Sequence, residues 1–404
     1  LVYGAAFIGH DVLSANTEIL LLLPASWAVV MLRDEDEARR PRRLLAAGGL
    51  LGAAVLLKYH AVAWLPALAW AVVRALRSRG GRAVALGLGG LALGFALPLA
   101  VTWLYFASRG GAEALVYWTL HNNVAYSANP VPAREWLGRA AASVLPFFLV
   151  TAPLWGLGAV SWRRERDRYR RGLVAGLLGL SLLATAWGLR FYAHYFVPVY
   201  WPLALAAAPA AAALFSPLRR GGRWLAAHAA VILVGFTVAN AWLYFGAPLG
   251  RRVYRETDPV FRHVAEHLRS DPCLEGASLF VWGYAPIFYY ETRLPPASRF
   301  VVLPQSRLTG YVSGNFASLG ARGPEAPGVV PRHWDWLMED LERSQATYIL
   351  DTAPAGIYRW NNYPLTDFPR LQAYVRDHYR LVGDVDRVRV YRRRGCENRA
   401  MVTS

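Results

Sequence analysis

The sequence contains very little lysine and lacks the motifs of soluble nucleotide chemistry. Lys58 is the only lysine among 404 residues, although the formal net charge is +17, so nearly every cation is an arginine. There is no Walker A loop, no G-x-G-x-x-G after a predicted strand, no H-E-x-x-H and no G-x-S-x-G. Nothing in the sequence therefore indicates a soluble nucleotide as group donor.

Cysteine is also scarce. The two cysteines, Cys273 and Cys396, both lie in the C-terminal part of the chain. If that part is exported, a disulfide between them fits an oxidising compartment. Spacing alone leaves two free thiols equally open.

Apolar residues are concentrated in long blocks. The chain is 55% hydrophobic with a mean hydropathy of +0.22, which is high for a soluble domain. A membrane-spanning helix needs roughly 20 apolar residues, and the candidate blocks are 12–32, 44–57, 61–76, 83–106, 140–160, 172–188, 193–215 and 224–246. We predict a mainly α membrane protein, with about eight spans in a helical domain over 1–249. Because the sequence begins at Leu1 inside an apolar run, we expect further N-terminal spans to precede it.

The arginines between these blocks indicate the topology. They do not form one basic face, which argues against nucleic-acid binding. They cluster in four loops: Arg33, Arg39, Arg40, Arg42 and Arg43; Arg74, Arg77, Arg79 and Arg82; Arg163, Arg164, Arg166, Arg168, Arg170 and Arg171; and Arg219, Arg220 and Arg223. The positive-inside rule places all four in the cytoplasm if the short second and third blocks form a hairpin at Lys58. The protein is then a multi-pass inner-membrane protein with its C-terminal domain on the non-cytoplasmic side.

Residues 250–404 are predicted to form that soluble α/β domain. Periodicity predicts helices from Asp258 to Ser270 and over 332–344 and 367–378. Strands are predicted at 278–282, 300–303 and 347–350, followed by a hairpin of 381–384 with 388–391.

The unusual polar residues of the helical domain fall on the predicted external face. They are Asp11, Asn16, Glu18, Lys58, Tyr59, His60, His121, Asn122, Arg190, His194 and Tyr195. A transporter of ions or protons would place ionisable groups at mid-membrane instead. These residues are therefore candidates for a substrate site at the external surface of the membrane.

Specific roles are suggested by residue type. The ammonium of Lys58 suits a phosphate oxygen, and Arg190 can bind phosphate in a bidentate way with His194 as a helper four residues on. Glu18 and Asp11 are weak candidates for a catalytic carboxylate. The alternatives are a snorkelling lysine, an aromatic interface belt around Arg190, and a helix-dipole charge for Glu18.

Three segments resemble bacterial family 39-like glycosyltransferases. Asp11 to Glu18 resembles their A-N-x-E segment, and the run from Gly48 to Lys58 resembles their G-x-x-x-G-x-x-x-x-x-K pattern. The run from Arg190 to Pro198 resembles their R-F-x-x-H-Y-x-x-P segment. The resemblance extends to protein O-mannosyltransferases and lipid A aminoarabinose transferases, and it implies a GT-C-like helical bundle.

The resemblance further implies inverting transfer of a sugar from a polyprenyl-phosphate donor to an extracytoplasmic lipid, glycan or protein. Lys58, Arg190 and His194 would bind the donor phosphate, whereas Asn16, Tyr59, His60, His121, Asn122 and Tyr195 would contact substrate. In such enzymes the general base lies in the first external loop, which we expect to precede Leu1. No metal ligand is assigned, and a divalent metal cofactor stays open. The alternatives are a flippase of lipid-linked sugars and a non-catalytic envelope-polysaccharide assembly protein.

Overall fold

The structure, a computed structural model, describes residues 17–124, 133–214, 257–303, 307–309, 323–326 and 328–396, with scattered positions between 224 and 238. The chain folds as two compact units that divide between Asn240 and Ala241. Among the residues described, the first unit is helical and the second contains a small sheet.

The longer helices of the first unit follow the predicted apolar blocks, whereas the short helices Glu35–Ala38 and Ala112–Val116 lie in predicted loops. In chain order the described helices are α1 (Thr17–Leu20), α2 (Leu22–Met31), α3 (Glu35–Ala38), α4 (Pro41–Leu57), α5 (Leu65–Leu76), α6 (Gly81–Ser108), α7 (Ala112–Val116), α8 (Ala133–Arg164), α9 (Arg168–Ala186) and α10 (Val197–Leu214). Within the described ranges, five helices are long and apolar enough to cross a membrane: Tyr59–Arg79, Gly81–Ser108, Trp136–Arg164, Arg168–Leu189 and His194–Ala213. A shorter apolar helix covers Thr17–Met31. The chain therefore has the architecture of a membrane-embedded helical protein.

The predicted hairpin at Lys58 is confirmed. Lys58 ends α4 in an extended conformation (φ −157°, ψ 122°), and a 3₁₀ turn, Tyr59–Trp64, leads into α5. The far end of α5 lies against the start of α4. Arg39 Nε donates a hydrogen bond to the Ala75 carbonyl at 3.0 Å there. The ion pair between Arg74 and Glu35, at 3.2 Å, closes the same end. Lys58 therefore lies at the tip of the hairpin, and the arginines lie at its base.

Two glycines let α4 pack tightly against α6. A Cβ atom at Gly48 would collide with the main chain of Leu91 and Phe95, and one at Gly52 would collide with Phe95 and Pro98. The backbones therefore approach more closely than larger residues permit, as in small-xxx-small contacts between membrane helices.

Gly48→Ala is expected to destabilise the helical unit by about 1–3 kcal/mol, because the added methyl forces the two backbones apart. Gly49→Ala is the matched control, since its Cβ would meet only the Gly94 carbonyl oxygen, at 3.7 Å. Thermal unfolding in detergent measures both changes. Equal loss of stability in the two variants would contradict close α4–α6 packing.

The second unit is built on a four-stranded sheet. Its elements are α11 (Thr257–Arg269), β1 (Leu279–Trp282), α12 (Ile287–Thr292), α13 (Pro331–Ser344), β2 (Tyr348–Asp351), α14 (Pro369–His378), β3 (Tyr379–Val385) and β4 (Val388–Arg393). The strand order is β1-β2-β4-β3; β1 and β2 are parallel, and the other two pairs are antiparallel. Trp282 is fully buried and its indole donates to the Tyr363 carbonyl, so it is a core residue.

One predicted strand is wrong. Residues 300–303 form bends and a turn instead of a strand. Asp340 accepts hydrogen bonds from the Arg299 backbone and guanidinium, and the Phe300 amide donates to Ser298 Oγ. These hydrogen bonds to side chains take the place of the backbone hydrogen bonds that would pair a strand with its neighbour. Burial raises the pKa of Asp340, but the bonds from Arg299 and Ser298 outweigh it and hold that pKa below its usual value.

Cys273 and Cys396 are joined by a disulfide across a sequence separation of 123 residues. It links the turn after α11 to the chain beyond β4. By the chain-entropy account, closing so long a loop stabilises the folded state by roughly 4–5 kcal/mol. The bond also fits an exported unit, because cytosolic thiols are normally kept reduced.

Candidate functional site

A buried carboxylate lies at the hairpin-tip end of the helical unit. Glu18, in α1, is 0% exposed. Its Oε2 accepts a hydrogen bond from Thr17 Oγ1 at 3.2 Å, and its Oε1 faces two basic side chains. A buried charge of this kind is stable only when it is paired.

Lys58 provides that pairing. Its ammonium lies 2.9 Å from Glu18 Oε1, and its side chain keeps 26% of its surface exposed. The carboxylate is therefore enclosed, whereas part of the lysine side chain stays exposed. Because an ammonium has three N–H donors, Lys58 can hold Glu18 and still offer donors to an anion outside.

The segment before α10 completes the cluster. His194 Nε2 lies 3.8 Å from the same Glu18 oxygen. The Tyr195 ring lies 5.0 Å from the His60 ring and 6.0 Å from the Lys58 ammonium. Glu18, His60 and Tyr195 also line one small pocket, together with Trp64 and Ser181. The indole of Trp64 donates to Ser181 Oγ at 2.8 Å, which ties the hairpin to α9.

The chain around Arg190 is held in an unusual conformation. Leu189 and Phe191 have positive φ values of 53° and 46°, and Gly188 has a φ of 77°. Left-handed backbone costs roughly 1–2 kcal/mol at a residue other than glycine, and such strain is often found at functional segments. Arg190 itself is 2% exposed and takes part in an interaction of its own. The contacts described above for Glu18 and Lys58 do not include it.

The other predicted site residues differ in whether they lie near the cluster. Tyr59 is 39% exposed and its ring lies 4.4 Å from the His60 ring, next to the cluster. His121 contacts Tyr117 one turn away, at 6.2 Å between rings, and Asn122 follows it. The described contacts do not bring either one to Lys58. Asp11 and Asn16 lie outside the described residues.

Arg139 is a basic residue near this segment that was not among the predicted site residues. Its guanidinium lies 5.3 Å from the centre of the Tyr192 ring, so the start of α8 reaches the segment between Arg190 and His194. The available signal was its position, since it stands at the edge of the apolar block 140–160 opposite to Arg163.

The opposite end of the unit gathers the arginine-rich loops. Tyr169 donates to the Leu32 carbonyl at 2.6 Å, and one surface depression is lined by Arg39, Arg42, Arg43 and Arg79. Three of the four predicted cytoplasmic loops thus share one end, and the fourth, 219–223, lies outside the described residues. The Glu18–Lys58–His194 cluster is at the other end, as the charge pattern predicted.

Within the described part of the chain, no three His, Cys, Asp or Glu side chains group in a way that could hold a metal ion. No protein-family model, curated protein or solved structure gives a match to the chain. The likeness to family 39 glycosyltransferases therefore rests on the short segments alone.

Glu18 and Lys58 should be strongly coupled. In a double-mutant cycle of Glu18→Ala and Lys58→Ala, we expect a coupling of about 1–2 kcal/mol, because each single change strands a charge at a partly desolvated position. The matched control is the exposed pair Asp167 and Arg170, 3.6 Å apart, for which roughly 0–0.5 kcal/mol is expected. Unfolding in detergent measures both cycles. Additive effects at Glu18 and Lys58 would contradict the pairing.

Proposed function

We propose that the protein is a GT-C-type membrane glycosyltransferase that moves a sugar from a polyprenyl-phosphate donor to an extracytoplasmic acceptor, with inversion. The observation that carries the proposal is the Glu18–Lys58–His194 cluster. Separate helical segments bring a lysine, a buried carboxylate and a histidine to one end of an apolar bundle, opposite to the arginine-rich end.

The chemistry requires a cation at the leaving group. An acceptor oxygen attacks the anomeric carbon, its proton passes to a base, and the bond between that carbon and the phosphate oxygen breaks with its electron pair on the phosphate. Negative charge grows on that oxygen, and a preorganised cation lowers the barrier. Lys58 is the proposed cation, and Glu18 is a residue that positions it.

Glu18 is a poor choice for the base. It is fully buried and its Oε1 is already held by the Lys58 ammonium at 2.9 Å, so it is poorly placed to take a proton from an acceptor hydroxyl. A base must lie within hydrogen-bond reach of the proton it takes. We therefore leave the base unassigned, and assign Arg190 a supporting role through the strained segment that it shares with His194.

The surrounding apolar surface supports a lipid-linked donor. Charged residues of the described spans lie within two turns of the span ends, as in Gly81–Ser108, where Arg82 is the only Asp, Glu, Lys or Arg. A prenyl tail can lie along such helices while its phosphate stays at the bundle end. A flippase would need a polar path between the two ends, and no observation favours one. By the positive-inside rule, the cluster end faces the exterior of the inner membrane.

The test is sugar transfer from defined polyprenyl-phosphate donors by the purified protein in proteoliposomes, with products identified by mass spectrometry. Lys58→Ala is expected to lower the turnover rate at least 100-fold, because removing a preorganised donor to the developing charge costs about that factor. Arg190→Ala should lower it as well. Arg77→Ala, at the arginine-rich end, is the control and should keep wild-type turnover.

Wild-type turnover in Lys58→Ala would contradict the phosphate-contact assignment, and wild-type turnover in Arg190→Ala would contradict the supporting role of Arg190. Movement of intact donor across the vesicle membrane without transfer would favour the flippase instead. Each variant must first elute from gel filtration as the wild type does, so that misfolding is not read as lost catalysis.

A further inference from the structure

The C-terminal unit has a pocket of its own where the central strand β2 ends. It has a volume of about 660 Å³ and is bounded by Asp351, the last residue of β2, and by residues from β4 and α14. Asp351 lies at the carboxyl end of the parallel pair β1–β2. Ligands of open sheets with parallel strands commonly bind outside the carboxyl ends of those strands.

Three arginines reach this pocket from three different elements. Arg389 lies on β4 directly opposite Asp351, Arg387 belongs to the β3–β4 turn, and Arg376 belongs to α14. Asp351 is the only carboxylate among the lining residues of this described pocket, but Arg376 is paired with Asp377, 2.7 Å away and outside the lining, so Arg387 and Arg389 supply the excess of positive charge. Guanidinium groups bind carboxylates through paired N–H donors, so the pocket suits an organic anion.

Asp351 adds a buried acceptor. It is 2% exposed, and one oxygen accepts a hydrogen bond from the Ala353 amide at 3.0 Å. Burial raises its pKa, and that bond and Arg389 lower it in part. A carboxyl group at the base of a polar pocket can accept hydrogen bonds from ligand hydroxyls.

The remaining wall suits a sugar ring. Asn361, Thr366 and Gln372 offer neutral donors and acceptors, and Pro364 and Leu365 offer an apolar face. This mixture of few polar groups and apolar surface is common in small-molecule sites. A bare inorganic anion would use only the arginines.

We propose that this pocket binds an acidic saccharide. The arginines hold its carboxylate, and Asp351 with the amides holds its hydroxyls. The inference does not depend on sugar transfer, because binding is measured without a donor.

Calorimetric titration of the purified protein in detergent tests the proposal. Glucuronate should bind at least tenfold more tightly than glucose, which has the same ring without the carboxylate. Arg387→Asn and Arg389→Gln should each weaken glucuronate binding about tenfold, by loss of a charged hydrogen bond. Asparagine suits position 387 because the φ there is 66°, a conformation that asparagine tolerates.

The matched control is Arg370→Gln, an exposed arginine of α14 that pairs with Asp335 outside the pocket. It should bind glucuronate like the wild type. Equal binding of glucose and glucuronate would overturn the proposal, as would undiminished binding in both pocket variants. Inorganic phosphate binding at least as tightly as glucuronate would also overturn it, because the hydroxyl contacts would then contribute nothing.

Discussion

The ion pair between Lys58 and Glu18 is the interaction on which the helical unit's polar end depends. Lys58 stands where α4 ends and the chain turns back, and Glu18 stands at the start of α1. Because Glu18 is completely buried, its charge needs a partner, and the ammonium 2.9 Å away supplies it. The pair fixes the hairpin tip against the first helix. It also leaves the lysine side chain partly exposed.

The rest of the unit keeps this end distinct from the other. Glycines on α4 permit its close approach to α6, and the bond from Arg39 to Ala75 closes the hairpin at the arginine-rich base. The bond between Trp64 and Ser181 ties the hairpin to α9, whose far end leads into the strained segment before His194. Packing of small residues thus holds the spans together, and charge is confined to the two ends. This separation is what the proposed transfer from a lipid-linked donor requires.

Much of this could be predicted from the sequence, because long apolar runs and arginine loops are local signals. They placed the helices, the break at Lys58 and the shared end of three arginine loops. Contacts between distant segments carry no local signal, so the pairing of Glu18 with Lys58 and the approach of Arg139 to Tyr192 were not predicted. The apolar stretch at 300–303 looks like a strand, but tertiary bonds to Asp340 override that preference. The burial of Arg190 also depends on contacts between segments, so no local pattern predicts it.

Binding of the donor phosphate by Lys58 is the part of the proposed function that can be measured most directly. Lys58 is the only lysine of the 404 residues. Its side chain can therefore be labelled by reductive methylation with ¹³C-formaldehyde, which preserves the positive charge. Lys58→Arg then identifies its methyl signal in the NMR spectrum of the protein in detergent. We predict that polyprenyl phosphate shifts this signal and that the matched polyprenyl alcohol, with the same tail and no phosphate, does not. Identical spectra with the phosphate and the alcohol would contradict the account.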